Sequence, residues 1–208
     1  MKEKMVNAIY FTLKNAKALY EEAKILKEHN KSARAYSLYH LAFEECGRFY
    51  MLHNLLLQYA AGEIKLKELN YGTLKKLGYE RHDLKISKSF LGLFVTSILY
   101  LHNSTKNLVI EDFKNTNAEA IAKLKEEYNK LKEQETELNR LKNVGLYVSF
   151  KDNEFNLPDN TITQSQFMNI EKLAKMGLDS MEANIEYIES KGGYSKMREN
   201  FEKERNNT

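Results

Sequence analysis

Leu41-Ala-Phe-Glu-Glu-Cys-Gly-Arg-Phe-Tyr-Met51 lies inside an apolar run from about Ser32 to Ala60, and its reading decides the fold. Leu38, Leu41, Ala42, Phe49 and Leu52 recur at three- and four-residue spacing, which predicts one face of a helix. Glu44, Glu45 and Arg48 interrupt that run where Leu or Ala would be expected. As i,i+4 neighbours on a helix, Glu44 and Arg48 can pair. Glu45 projects with the apolar set, and a carboxylate there is costly unless paired or hydrogen-bonded. Gly47 inside a helix costs roughly 1 kcal/mol against Ala, which predicts a close approach of backbone or ligand. A structural ion pair and a functional site both account for such charges.

Outward from this stretch the pattern stays helical. Helix 1 is predicted from Glu3 to His29, with Ile9, Leu13, Ala16, Tyr20, Ala23 and Leu26 inward. The short break at Asn30-Lys-Ser implies an antiparallel hairpin with helix 2, whose N-cap is Ser32. Tyr36, Tyr39, Phe43 and Tyr50 form an aromatic stripe on helix 2, suited to a core or to a dimer interface. A polar connector, 61–79, carries a short helix near Ile64 to Leu69. Glu80-Arg-His-Asp-Leu-Lys85 then precedes an apolar helix 3 that ends near His102. Arg81, His82 and Lys85 at that helix start form an anion-binding candidate, set against a plain solvated cap. A loop is expected over 103–117, and helix 4 over Ala118 to Lys142. Helix 4 ends in Asn139-Arg-Leu-Lys-Asn-Val-Gly145, with Gly145 as its stop. Leu146 to Thr161 reads as a small hairpin or ordered loop. Helix 5 runs from about Thr163 to Ser190, and a charged tail follows over 191–208. The fold class is therefore all-α: a bundle of about five helices over 1–190, with one excursion near 146–161.

Composition agrees. Of 208 residues, 42% are hydrophobic and 29% charged, with one Pro, as in a globular helical chain. The net charge of +3, with both signs interleaved, allows anion binding at a local patch but is no nucleic-acid footprint by itself. One cysteine excludes an intramolecular disulfide and a cysteine zinc cluster. No metal or cofactor motif is present: there is no Walker loop, HExxH or nucleophile elbow. Phe90 to Leu101 is too short to span a bilayer and no leader is evident, so a cytoplasmic, membrane-free protein is expected.

Three pieces of the chain resemble the AbiV abortive-infection proteins, a branch of the HEPN (higher eukaryote and prokaryote nucleotide-binding) superfamily. They are Leu41-Ala-Phe-Glu-Glu-Cys-Gly-Arg48, Arg81-His82-x-x-Lys85, and Leu141-Lys-x-x-Gly-Leu-Tyr-Val-x-Phe150 followed by Pro158. The resemblance implies an all-α HEPN bundle and a homodimer. It further implies a metal-independent ribonuclease of phage defence that acts on RNA and answers to a phage-encoded activating protein. HEPN ribonucleases carry an Arg, four to six residues, then a His. Here Arg140 is followed by Leu-Lys-Asn-Val-Gly-Leu-Tyr147, so Tyr147 stands near the place of the His and Ser149 where relatives tend to carry Asp. The catalytic set implied is Arg140 and Tyr147, with His82 as the source of an imidazole. Glu44, Glu45, Arg48, Arg81, Lys85 and Asn143 are expected to bind phosphate or orient these groups. The alternative is a non-catalytic HEPN-like adaptor that binds RNA, nucleotide or protein.

Overall fold

The computed structural model describes residues 2–104, 110–151 and 153–206. Its helices are α1 (Lys2–Glu28), α2 (Ser32–Ala60), α3 (Tyr71–Lys76), α4 (His82–Ser104), α5 (Ile110–Glu133), α6 (Glu135–Val144), α7 (Gln164–Ser190) and α8 (Gly193–Asn206). A two-stranded antiparallel hairpin joins α6 to α7: β1 (Ser149–Lys151) pairs with β2 (Glu154–Asn156), Phe150 opposite Phe155. The fold is an all-α bundle with the expected excursion.

Helix α2 is its axis and packs against α1, α4, α6, α7 and α8. The chain turns from α1 into α2 through Asn30, at positive φ (56°), a conformation that Asn tolerates better than most residues. Tyr36, Tyr39, Phe43 and Phe49 are fully buried within the one chain. Tyr39 meets Tyr20 of α1 and Phe167 of α7, and Phe43 meets Phe90 of α4 edge-on at 5.1 Å. Tyr36, Tyr39 and Phe43 of the aromatic stripe are thus core and Tyr50 packs half-buried against it, so the stripe gives a dimer no support.

Several boundaries move. The single predicted helix 4 is two helices, and α7 holds the joint through Asn169 Nδ2 donating to Gln134 Oε1 at 2.9 Å. The predicted loop over 103–117 lies partly outside the described residues, at 105–109. Of the rest, 103–104 belong to α4 and 110–117 to α5. The connector helix is α3 at Tyr71–Lys76, capped by Asn70, while Leu66–Glu68 is a single 3-10 turn. Within the charged tail, residues 193–206 form α8: Tyr194 is buried, and Arg198 lies 4.4 Å over the Tyr59 ring.

Two glycines are set by proximity. A Cβ on Gly47 would fall on the Lys85 backbone carbonyl, so α2 and α4 touch backbone to backbone there. Gly145 ends α6 with a right-handed φ of −67°, and a Cβ there would meet Ser37 Oγ and the Ala33 carbonyl. Gly47→Ala therefore gains about 1 kcal/mol of helix propensity but incurs an overpacking cost of about 1–3 kcal/mol or more. A net loss of stability is expected in calorimetry, and a raised melting temperature would contradict the packing described.

Candidate active site: a buried carboxylate that orients an exposed imidazole

Glu44 is the centre of the charged cluster. Its side chain is almost wholly buried on α2, at 2% exposure. Lys142 of α6 donates to Oε1 at 2.9 Å, Lys85 of α4 lies 3.0 Å from Oε2, and His82 Nδ1 lies 2.6 Å from Oε2. Lys85 is itself buried, at 1%, and Lys142 nearly so. Three helices meet at one carboxylate. Ser37 Oγ fixes the end of α6 by donating to the Lys142 carbonyl at 2.9 Å, and Ser89 Oγ ties α4 to the Phe43 carbonyl at 2.6 Å.

Burial works against the charge on Glu44, but its partners His40, Lys142 and His82 outweigh that. They hold the carboxyl well below the ordinary range. His40, one helical turn before Glu44, is fully buried with Nδ1 3.4 Å from Oε1, and neither ring nitrogen makes a well-formed hydrogen bond. Burial pushes its imidazole down, against the pull of Glu44, and keeps it neutral. Two buried ammonium groups therefore share one buried carboxylate, an excess of positive charge. A carboxylate only accepts, so His82 Nδ1 is the donor in its 2.6 Å bond to Glu44, with Lys85 and Lys142 Nζ each 3.4 Å from that atom, and Nε2 is the ring's other nitrogen. The His82 side chain is 58% exposed, so the cluster presents that nitrogen at the surface.

The ionisations set a sign for pH. Because the Glu44 carboxyl is lowered in the fold, its contribution is present above the unfolded carboxylate value and lost as pH falls below it. Because the His40 ring is lowered, its contribution is lost from about pH 6.5 downward. Glu45 acts oppositely: burial raises its carboxyl despite Arg48, so its protonation restores some stability. The melting temperature should fall as pH drops from 7 to 4; a flat profile would refute this balance.

The pairing of Glu44 with Arg48 that the spacing allows is not what forms. Arg48 pairs with Glu45, three residues back, and lies 5.6 Å over the Tyr79 ring, while its Nε is buried without a partner. Glu44 points towards α4 and α6 instead. The outward cationic patch at 81–85 does not form either. Arg81 is bidentate on Asp83, and Lys85 turns into the core, where Glu44 neutralises it.

Arg140 stands half-exposed with its guanidinium bidentate on Glu137, both bonds 2.7 Å. Tyr147 is 66% exposed, and Asn143 accepts the Tyr147 backbone N–H at 3.0 Å. No contact joins Arg140 or Tyr147 to His82 among the described residues. The cluster instead includes Lys142 and His40, neither of which is among the site residues expected from the sequence. A signal existed: Lys142 lies four residues after Leu138 and next to Leu141, both buried, so it interrupts an apolar face as Glu44 does.

The model of the HEPN AbiV family, described as AbiV, matches residues 4–179. The chain belongs to the AbiV family. That match takes in every member of the Glu44 cluster, as well as Arg140 and Tyr147. The family is one of abortive-infection proteins of the HEPN type. Neither the curated proteins nor the solved structures yield a match to this AbiV-family chain. No described helix is long and apolar enough to cross a membrane, and no described group of His, Cys, Asp and Glu could hold a metal ion.

Proposed function

We propose that this protein is a phage-defence effector of the HEPN type that cleaves RNA without a metal, using His82 as its proton-transfer group. One observation carries the reading: an exposed imidazole whose Nδ1 is held at 2.6 Å by a buried carboxylate. Held this way, Nε2 takes the proton of a ribose 2′-OH, and the freed oxygen attacks the adjacent phosphorus. The 5′-oxygen leaves with a proton, giving a 2′,3′-cyclic phosphate and a 5′-hydroxyl end. The excess positive charge of Lys85 and Lys142 behind the ring favours the phosphorane that builds up. Arg140 and Tyr147 supply the second cation and a proton donor if a second copy of the chain brings them to His82. A homodimer is accordingly part of the proposal, as is an activating protein made by the phage.

A second reading rests on the hairpin. Leu146, Tyr147, Val148, Phe150, Phe155 and Leu157 are all exposed, and Phe150 meets Phe155 at 4.9 Å, exposed apolar side chains of the kind that binds protein. On that reading the chain is a non-catalytic adaptor. The test is incubation of purified protein with total RNA in a chelator, with and without lysate from phage-infected cells. Fragments ending in cyclic phosphate support cleavage. RNA that stays intact in both arms overturns it in favour of the adaptor.

A further inference from the structure

A cavity between α2, α4 and α7 shares no lining residue with the Glu44 cluster. It holds about 190 Å³ and is walled by Met51, Leu57, Leu77, Leu91 and Val95, with Tyr50, His53 and Asn184 as its polar lining. That volume exceeds the roughly 150 Å³ that suffices for benzene in an apolar protein cavity. It therefore suits one six-membered ring with a short substituent.

The charges are one-sided. Lys88 is the one charged side chain among the described lining residues, and it has no ion-pair partner among the described residues. No carboxylate is among the described lining residues. The larger groove between α4, α5 and α7, about 670 Å³, differs in that Lys123 is offset there by Glu127 and Asp179. His53 sharpens the contrast. It is over nine-tenths buried, and burial holds its imidazole down to about 4, so the ring is neutral near pH 7. Its Nδ1 is engaged by Tyr194 Oη at 2.7 Å, and Nε2 remains as the ring's other polar atom. Behind the cavity Tyr50 Oη, Thr96, Ser180 and Asn184 satisfy one another, so that wall asks for no further polar partner.

We infer that this cavity is a binding site for a small aromatic carboxylate, with its ring among Met51, Leu57, Leu91 and Val95 and its carboxylate on Lys88. Asn54, an exposed member of the same lining, offers the carboxylate a second donor.

Phenylacetate, 2-phenylethanol and phenethylamine make a matched set of anion, neutral molecule and cation for titration calorimetry on the full chain. Phenylacetate should bind saturably at one site, about fivefold or more tighter than phenylethanol, with phenethylamine weaker still. Lys88→Met should bring phenylacetate down to the affinity of phenylethanol. Val95→Trp fills the space from a position 44% exposed, where the larger ring can be accommodated, and should abolish binding of all three with the melting temperature kept. Absence of saturable phenylacetate binding to the wild-type protein would overturn the assignment. So would equal affinity for the three probes, or binding that Val95→Trp leaves unchanged.

Discussion

Replacing Glu44 by glutamine should lower the stability of the fold by on the order of 3–5 kcal/mol. Gln keeps the shape of the side chain, so the loss is one of charge. Lys85 and Lys142 are both buried, and each has its ammonium within 3.0 Å of that carboxylate. Without it two cations lie in the core with no counter-charge, the situation in which breaking a buried pair is most expensive. In a chain of this size a kcal/mol moves the melting temperature by about 2–4 °C, so a fall of about 10 °C is expected. Adding Lys142→Met to the Gln variant should recover part of it, because removing both partners of a buried pair is far milder than removing one. Glu45→Gln should cost much less. Its partner Arg48 keeps about a third of its side chain in water (32%) and can rehydrate, and burial already weakens the charge on Glu45. A Glu44→Gln protein that melts within 2 °C of wild type would mean that the cluster is not held as described.

How far the sequence could go is clearest on α2 itself. Glu44, Glu45 and Gly47 stood out because each breaks a helical apolar pattern, and Gly47 proved to be the close backbone approach that its position predicted. The choice between the two carboxylates was not local. Both project near the apolar face, and the deep position goes to Glu44 because α4 comes down on Gly47 and brings Lys85 and His82 with it. The direction of Arg140 was equally hidden. On α6 it lies two residues from Lys142, and one apolar stripe turns Lys142 inward and leaves Arg140 on the surface with Glu137. The joint between α5 and α6 leaves no trace in a run of good helix formers without Gly or Pro. The long helices were readable because periodicity summed over many residues is a strong signal; α3 and α8 are shorter and owe their place to neighbours.

His82→Ala should reduce RNA cleavage about 10²–10⁴-fold, the usual contribution of a general acid or base, while the melting temperature moves by a few degrees at most. The ring is largely in solvent, and Glu44 keeps Lys85 and Lys142 when it is removed. Arg140→Ala should also leave the fold intact, since an exposed i,i+3 pair with Glu137 is worth only about 0.3–0.5 kcal/mol. If Arg140 stabilises the phosphorane, activity falls with it. The pair then separates two architectures. Arg140 binds Glu137 and His82 binds Glu44, with no described contact between them, so a site that uses both must draw them from two chains or carry the RNA across the surface of one. Subunits bearing His82→Ala mixed with subunits bearing Arg140→Ala answer this. In a dimer whose sites are shared, each mixed pair contains one site with both residues intact, and cleavage returns on mixing. In a site built within one chain, every subunit lacks one of the two residues, and the mixture stays as inactive as its parts. Wild-type cleavage by His82→Ala alone would remove the imidazole from the mechanism altogether, leaving Glu44 and its lysines as a structural cluster.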